Sequence, residues 1–271
     1  MGEQVSPPRD ASGRWALVTG ASGGIGAEIA RELSARGWNL ILTARSEGAL
    51  EALAREVRAR DGILAQVVPI DLAEPSGPEL LEAATEGRGL SVNLLVNNAG
   101  FGDFGPFLEA ELDRGLAMIQ VNVAALTELS WRFAAAMAGR GGGRILNVAS
   151  TAAFQPGPGM AVYYATKAYV LSLSEGLRVE FRDAGISVTT LCPGPTATGF
   201  QEEAGMGNSG LLTLLPAPGA REVARFGVEA ALKGKGVAIP GWVNRLLVLG
   251  VRLTPRRILP DLVYRIQRSR V

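Results

Sequence analysis

The chain has 271 residues, of which 47% are hydrophobic and 20% charged, and its formal net charge is +1. These values are typical of a soluble globular protein with enough mass to bury a sizeable core, and the near-neutral balance excludes a general attraction for nucleic acid. The absence of histidine from the sequence excludes Ser-His-Asp catalysis and metal sites that depend on imidazole, and we expect no bound metal.

The N-terminal segment 1–13 has no apolar stretch flanked by basic residues, so we expect no signal peptide and predict a flexible segment. No run of about 18 uncharged apolar residues follows, and no membrane span is predicted. The single cysteine, Cys192, excludes an internal disulfide and suits a reducing compartment, which predicts a cytoplasmic protein. Its place at the end of the apolar run ISVTTLC is typical of a buried structural thiol.

Short apolar strands alternate with helical patterns along the chain. Because the strands are apolar on both faces, they predict an α/β protein: a parallel sheet with helices on both faces, in a doubly wound Rossmann fold. We predict a single dinucleotide-binding domain at 14–240 and a short helical C-terminal extension at 241–271. The predicted strands are 15–19, 39–43, 64–70, 92–96, 144–148 and 186–191, and the predicted helices are 27–36, 47–60, 78–86, 108–138 and 161–183.

The first strand is followed by TGASGGIG (residues 19–26), a glycine-rich turn that opens the first helix. Its glycines allow a tight turn, a close approach of a pyrophosphate to the backbone, and close packing of the helix on the sheet. Glycines also serve ordinary turns, but the position between the first strand and the first helix favours dinucleotide binding. The candidate cofactor-binding residues of this turn are Gly20, Ser22, Gly23, Gly24, Ile25 and Gly26.

The end of the second strand, LILTAR, indicates which dinucleotide is bound. Ala44 and Arg45 stand where an NAD-binding chain would carry a carboxylate for the ribose hydroxyls. A guanidinium there can pair with a 2′-phosphate, which predicts NADP(H) in preference to NAD(H). The alternative is that Arg45 merely caps the strand in water.

Two adjacent tyrosines precede a lysine in VYYATKAYVLS (residues 162–172). Residues three and four apart share a helix face, so Tyr163 and Tyr164 are both within reach of Lys167. An ammonium favours the phenolate: at about 4 Å and an effective dielectric of about 20 the attraction is about 4 kcal/mol, which would bring a phenol pKa towards 7. Such a phenol is an effective general acid at neutral pH.

Four motifs occur in order between about residues 14 and 200: TGASGGIG, NNAG at 97–100, Ser150 followed by YYATK, and the PG of CPGPTATG. In these motifs the chain resembles the short-chain dehydrogenase/reductase family. The resemblance implies that Tyr163, four residues before Lys167, is the general acid and base, and that Tyr164 packs or lines a pocket. It also implies a homodimer or homotetramer formed through the long helices.

The resemblance implies roles for further residues. Ser150 would hold the substrate carbonyl oxygen, Lys167 the nicotinamide ribose, and Asn122 would support a proton-relay water. The alternatives are that Ser150 is an ordinary helix cap or turn residue, that Asn122 satisfies a backbone group, and that Asn97 only pins neighbouring strands. The cofactor contacts implied by position are Asp71, Leu72, Asn98, Ala99, Gly100, Tyr163, Lys167, Pro193, Gly194, Thr196 and Thr198.

Apolar residues follow the cofactor motifs or lie beside the catalytic ones, which predicts an apolar substrate pocket, although core packing explains aromatic residues equally well. Residues 201–219, rich in glycine and leucine, predict a mobile lid over that pocket. The candidate pocket residues are Phe101, Phe104, Phe154, Met160 and Phe200.

From Trp242 onward the extension mixes leucines with seven arginines and one acid, and we expect Pro255 and Pro260 to break it into short helices. Such a basic amphipathic segment can rest on an anionic membrane or cover a lipophilic substrate. The sequence favours a simpler interpretation, in which the extension covers the sheet or a subunit and exposes a solvated face.

Together these residues predict an NADP(H)-dependent oxidoreductase that transfers a hydride between nicotinamide and a carbonyl or alcohol substrate. The alternative is a non-catalytic NADP(H)-binding sensor or scaffold on the same fold. Proteins of that kind usually lack one of the serine, tyrosine and lysine residues, whereas Ser150, Tyr163 and Lys167 are all present.

Overall fold

The computed structural model describes residues 13–196 and 218–268. Within these ranges seven parallel strands form one sheet in the order β3-β2-β1-β4-β5-β6-β7. The strands are β1 (Trp15–Thr19), β2 (Asn39–Thr43), β3 (Ala65–Val67), β4 (Val92–Asn97), β5 (Gly143–Val148), β6 (Ile186–Leu191) and β7 (Val237–Ala238).

Helices connect the strands and continue beyond the last one, so the predicted doubly wound fold with a helical C-terminal extension is confirmed. None of the helices in the two described ranges is long and apolar enough to cross a membrane. The helices are α1 (Gly24–Ser34), α2 (Glu47–Asp61), α3 (Gly77–Ala84), α4 (Leu112–Ile119), a π-helix (Gln120–Ala125), α5 (Leu126–Gly139), α6 (Ala161–Glu180), α7 (Ala220–Leu232), α8 (Trp242–Leu253) and α9 (Leu259–Arg268).

The strand order reverses between β1 and β4. The chain runs outward from β1 to β3 and then continues from β4 to β7 on the other side, so the loops after β1 and β4 diverge and open a crevice. The Thr19 hydroxyl fixes the floor of this crevice. It donates a hydrogen bond to the carbonyl oxygen of Val96 (3.2 Å) and accepts from the amides of Asn98 (2.9 Å) and Ala99 (3.0 Å).

The sheet buries both of its faces, because successive strand residues point to opposite sides. Leu17 packs in a cluster with Phe133 of α5, whereas its neighbour Val18 packs in a second cluster with Ile29 of α1. All four side chains are completely buried. This double burial explains why the strands are continuous apolar runs rather than alternating ones.

Several boundaries differ from the sequence prediction. Only three residues of β3 pair with β2, since this strand lies at the sheet edge and has one neighbour. The long fourth helix begins at Leu112 rather than at Leu108, which lies in a turn closed by a bond from the Glu109 amide to the Pro106 carbonyl. Pro260 does not break a helix: it lies in the first turn of α9, where its missing N–H costs nothing.

The sequence prediction also missed α7 and β7. The strand has only two residues, which is too short for a recognisable apolar pattern, and it forms because β6 offers a free edge. Helix α7 packs against α1 on one face of the sheet.

Candidate active site

A cavity of about 790 Å³ lies in the crevice at the carboxyl ends of the strands. It brings together predicted site residues that are far apart in the sequence. Those on its wall are Gly20, Ser22, Gly23, Gly24, Ile25, Arg45, Asp71, Leu72, Asn98, Ala99, Gly100, Ser150, Tyr163, Lys167, Pro193, Gly194 and Thr196.

Three predicted site residues are not among the wall residues. Gly26 and Asn122 are described by the structure but do not line the cavity. Thr198 lies outside the described residues, as do Phe200 and almost all of the lid predicted at 201–219.

The glycine-rich turn between β1 and α1 is held against the loop after β4. Gly20 has a left-handed φ of +64°, and a Cβ there would lie 2.9 Å from the Cα of Ala99. Asn98 Nδ2 donates to the carbonyl oxygens of Thr19 (2.9 Å) and Gly20 (3.2 Å). A Cβ on Gly26 would overlap the Gly20 carbonyl oxygen, so Gly26 serves the close packing of α1. The turn therefore has the bare backbone that a pyrophosphate cradle needs.

The loops after β2 and β3 border the end of the cavity beyond this turn. Arg45 lies on the wall between Ala44 and Ser46, and these residues after β2 contribute no carboxylate to the wall. After β3, Asp71 Oδ1 accepts a hydrogen bond from the Ala73 amide at 2.9 Å, which fixes the loop. The charge that β2 contributes to the wall is therefore positive.

Ser150, Tyr163 and Lys167 meet on one side of the cavity. Ser150 follows β5, and the first turns of α6 carry Tyr163 and Lys167 on one face. The Ser150 side chain hydrogen-bonds to that of Tyr163 and also accepts from the Ala152 amide at 3.1 Å. The Nζ atom of Lys167 lies 5.8 Å from the centroid of the Tyr163 ring. The structure thus places a hydroxyl pair and an amine side by side, as the motif spacing predicts.

The electrostatics of Tyr163 differ from the sequence-based expectation. Burial raises the pKa of Tyr163 above its ordinary value, and the hydrogen bond to Ser150 opposes this shift only in part. The Lys167 amine donates to the Val148 carbonyl oxygen at 3.0 Å, and burial lowers its own pKa to about 8. The expectation that Lys167 brings the phenol pKa towards 7 is therefore wrong, because desolvation of the buried phenol dominates.

Asn122 lies in the π-helix Gln120–Ala125 and is buried. Its Oδ1 accepts from the Phe101 amide (3.2 Å), and its Nδ2 donates to the Phe101 carbonyl (3.0 Å). The side chain thus satisfies backbone groups of the loop after β4, as the structural alternative predicts. A Cβ on Gly100 would lie 2.8 Å from Asn122 Oδ1 and 3.4 Å from Lys167 Nζ, so Asn122 also lies near Lys167.

Tyr164 is buried on the cavity wall, as the resemblance implies. A Cβ on Gly157 would overlap its ring, so the ring packs directly on the backbone of this glycine. The Tyr163 and Tyr164 rings lie edge to face with centroids 6.1 Å apart. The two tyrosines therefore occupy different positions, and Tyr163 hydrogen-bonds to Ser150.

Asn97 and Cys192 have structural roles. Asn97 Nδ2 donates to Asn147 Oδ1 (2.9 Å), which links β4 to β5, and to Ser130 Oγ (3.1 Å). The alternative that Asn97 pins neighbouring strands is confirmed. Cys192 is completely buried, and burial raises the pKa of its thiol to about 12, which confirms the prediction of a structural thiol.

The predicted apolar pocket is present in part. Phe101 and Met160 line the cavity, whereas Phe104 packs beside them in a buried cluster. Phe154 packs in another cluster, and the Arg252 guanidinium lies 5.6 Å from its ring centroid.

Helix α8 forms one wall of the cavity, which the sequence prediction did not favour. Asn244 packs closely on the cofactor-motif loop, since a Cβ on Gly194 would lie 2.6 Å from Asn244 Oδ1. The extension thus covers the cavity, as in one of the alternatives left open. The helical spacing of its inward residues was the signal that could have revealed this. The wall residues that sequence reasoning missed include Glu111, Arg114, Ala117, Val121, Gln155, Asn244, Leu247, Val248 and Val251.

This fold and this cavity define a class of protein: a doubly wound dinucleotide-binding oxidoreductase with a serine, a tyrosine and a lysine at its centre. A family model described as short chain dehydrogenase matches residues 14–208. The chain belongs to the short-chain dehydrogenase/reductase family.

Two curated relatives have comparable identity. The very-long-chain 3-oxoacyl-CoA reductase of Neurospora crassa is 33% identical over 179 residues, which cover 65% of this chain and 54% of that protein. The 7beta-hydroxysteroid dehydrogenase of Collinsella aerofaciens is 30% identical over 190 residues, which cover 70% of this chain and 72% of that protein. The chain thus spans about half the length of the first of these relatives.

Two solved structures are similar over most of the chain. A short-chain dehydrogenase from Sphingobium yanoikuyae in complex with NADPH has a TM-score of 0.80 and 33% identity, and the match covers 88% of this chain and 93% of that one. A short-chain dehydrogenase/reductase from Burkholderia phymatum in complex with NAD has a TM-score of 0.77 and 28% identity. This match covers 89% of this chain and 92% of that one. Both similarities support a nicotinamide dinucleotide as the cofactor.

Proposed function

We propose that this chain is an NADP(H)-dependent carbonyl reductase or alcohol dehydrogenase that acts on bulky lipophilic ketones or the corresponding alcohols. The observation that carries the proposal is the convergence of Ser150, Tyr163 and Lys167 in one cavity with the glycine-rich turn. The glycine-rich turn would hold the cofactor pyrophosphate, since its backbone lies on the cavity wall at the start of α1.

A nicotinamide dinucleotide, when bound, exchanges a hydride with the carbonyl carbon of the substrate. The chain's own residues act on the carbonyl oxygen. The Ser150 and Tyr163 side chains are hydrogen-bonded to each other, so both hydroxyls can bond to the same substrate oxygen. During reduction, Tyr163 gives its proton to the alkoxide oxygen and becomes a phenolate.

The raised pKa of Tyr163 is compatible with this role. An alkoxide is a stronger base than a phenolate, so proton transfer to it remains favourable, and a raised pKa keeps the phenol protonated before the transfer. Lys167, with a pKa of about 8, is mostly protonated at neutral pH. Its charge stabilises the phenolate that forms.

The cavity wall supports a lipophilic substrate. Phe101, Met160 and Tyr164 line it from the body of the protein, and Leu247 and Val251 line it from α8. The relatives named above act on very-long-chain 3-oxoacyl-CoA and on 7beta-hydroxysteroids, which both carry large apolar groups. We therefore propose a ketone with a large apolar body.

Turnover tests this proposal directly. The purified chain is mixed with NADPH and ketones of increasing apolar size, and the loss of NADPH absorbance is followed. We expect faster reduction of steroidal and long-chain ketones than of acetone. If the chain binds NADPH but reduces none of these ketones, the result would favour the alternative, a non-catalytic sensor or scaffold.

Arg45 provides a test of the NADP(H) preference. Arg45→Ala is expected to raise the KM for NADPH about 10- to 100-fold, the equivalent of a charge-assisted hydrogen bond, and to leave the KM for NADH nearly unchanged. The matched control is Arg55→Ala, which removes an exposed arginine of α2 away from the cavity. If Arg45→Ala raised the KM for NADPH and the KM for NADH equally, Arg45 would not distinguish the 2′-phosphate of NADPH from the free hydroxyl of NADH.

We further propose that the chain forms a homodimer or homotetramer. Large apolar side chains project into solvent from α4, α5 and α6, among them Leu112, Leu116, Trp131 and Val179. Association through these helices would bury them.

A further inference from the structure

Helix α8 presents apolar residues in two opposite directions. Its inward face lines the cavity through Val248 and Val251. Its outward face is a strip of four large side chains at helical positions i, i+4, i+7 and i+11, which share one side of a helix. The strip consists of Trp242, Leu246, Leu249 and Leu253, which are 73%, 57%, 52% and 77% exposed.

The outward strip is more than a scatter of exposed leucines. Single exposed apolar residues are ordinary, but a contiguous apolar surface marks a contact with a partner or a membrane. The four residues extend over about 16 Å of helix. Ile258 and Leu262, both exposed, continue the apolar surface beyond the end of α8.

Positive charge surrounds the strip. Residues 242–265 contain five arginines and one acid, so their formal charge is 5 − 1 = +4. Two of the arginines lie on one flank of the strip, and two more follow in the exposed turn between α8 and α9. The five are Arg245, Arg252, Arg256, Arg257 and Arg265, and the acid is Asp261.

We propose that the outward strip of α8 and its surrounding arginines dock on an anionic lipid bilayer. Leucines buried at the boundary between headgroups and acyl chains, a tryptophan at one end and arginines among the headgroups are the arrangement of an interfacial helix. A second copy of this chain fits the surface less well. In a two-fold symmetric contact the same patch would meet itself, and a formal charge of +4 would face another of +4.

Docking in this way would place the cavity beside the lipid. Leu247 lies on the cavity wall and is also half exposed, so α8 separates the cavity from the outward strip by the width of one helix. A lipophilic ketone could then pass from the bilayer to the cavity without crossing water. This consequence rests on the proposed function, whereas docking itself does not.

Vesicle co-sedimentation of the full chain tests the proposal without any turnover assay. The probes are phosphatidylcholine vesicles with and without phosphatidylserine. We expect binding to the anionic vesicles that weakens with added salt. Arg256→Gln/Arg257→Gln is expected to weaken it about 30-fold, since each arginine near an anionic surface contributes about fivefold. Leu246→Ser/Leu249→Ser is expected to weaken it at least about tenfold through lost apolar burial.

The matched control is Leu80→Ser on α3, whose side chain is 55% exposed, close to the 57% of Leu246. This control is expected to bind as the unchanged chain does, and NADPH binding checks that every variant is folded. Failure to bind anionic vesicles would overturn the proposal, as would binding that Leu246→Ser/Leu249→Ser leaves intact. Loss of self-association in that variant, without vesicle binding by the unchanged chain, would assign the strip to a second copy.

Discussion

Tyr163→Phe is expected to lower kcat for ketone reduction by about 10²- to 10⁴-fold, the usual contribution of a positioned general acid. The substitution removes the hydroxyl that hydrogen-bonds to Ser150 and keeps the ring that packs beside Lys167. NADPH consumption under saturating substrate measures the effect.

Tyr164→Phe is the matched control, since it removes an identical hydroxyl from the next residue of the same helix. Tyr164 packs on Gly157 and lines the cavity, so this variant is expected to keep a kcat close to that of the unchanged chain. NADPH affinity should be similar in both variants. If Tyr163→Phe kept full turnover, or if Tyr164→Phe lost as much, the assignment of Tyr163 as the proton donor would be rejected.

Lys167→Met is expected to have opposite effects on turnover and on stability. It removes the charge that, in the proposed mechanism, stabilises the Tyr163 phenolate, so kcat should fall by at least about 10²-fold. It also removes a buried amine whose pKa is lowered from 10.5 to about 8, which corresponds to about 3 kcal/mol against folding at neutral pH. The variant also loses the hydrogen bond to the Val148 carbonyl, which reduces this gain in stability by about 1 to 2 kcal/mol. A net gain of about 1 to 2 kcal/mol in the free energy of unfolding is expected.

The stability gain of Lys167→Met should depend on pH in a defined way. The folded pKa lies below the unfolded one, so the folded protein carries the cost of a buried charge at pH values below about 8. The unchanged chain recovers this stability as the pH rises from about 8 through 10.5, and well above 10.5 the amine is neutral in both states. The advantage of the variant should therefore shrink over that interval.

Denaturant unfolding of both proteins across this pH range measures the difference. The control is Lys233→Met, which removes a lysine that does not line the cavity. A variant less stable than the unchanged chain at neutral pH would mean that the protein stabilises the charge of Lys167 rather than opposing it.

Much of the site followed from local sequence. The turn after β1 needs glycine because Gly20 has a positive φ and Gly26 touches the Gly20 carbonyl, and these constraints involve residues only a few positions apart. The spacing of Tyr163 and Lys167 on one helix face is equally local. The alternation of apolar strands and helices determined the parallel sheet, because a sheet buried on both faces requires it.

The pKa values of the site residues and the walls of the cavity depended on contacts between segments that are distant in the sequence. Counting positions in the helix predicted a phenol acidified by Lys167, but the amine bonds to Val148 of β5 and the phenol is buried, so its pKa rises. The sequence also left the role of the extension open, and α8 forms one wall of the cavity, where Asn244 packs on Gly194. The sequence by itself determined which elements form the sheet and which residues meet at the candidate site, since those depend on short-range periodicity and turn geometry. Only the tertiary structure decided how far each ionisable group is removed from water and what encloses the cavity, because both depend on side chains that folding brings together from remote parts of the chain.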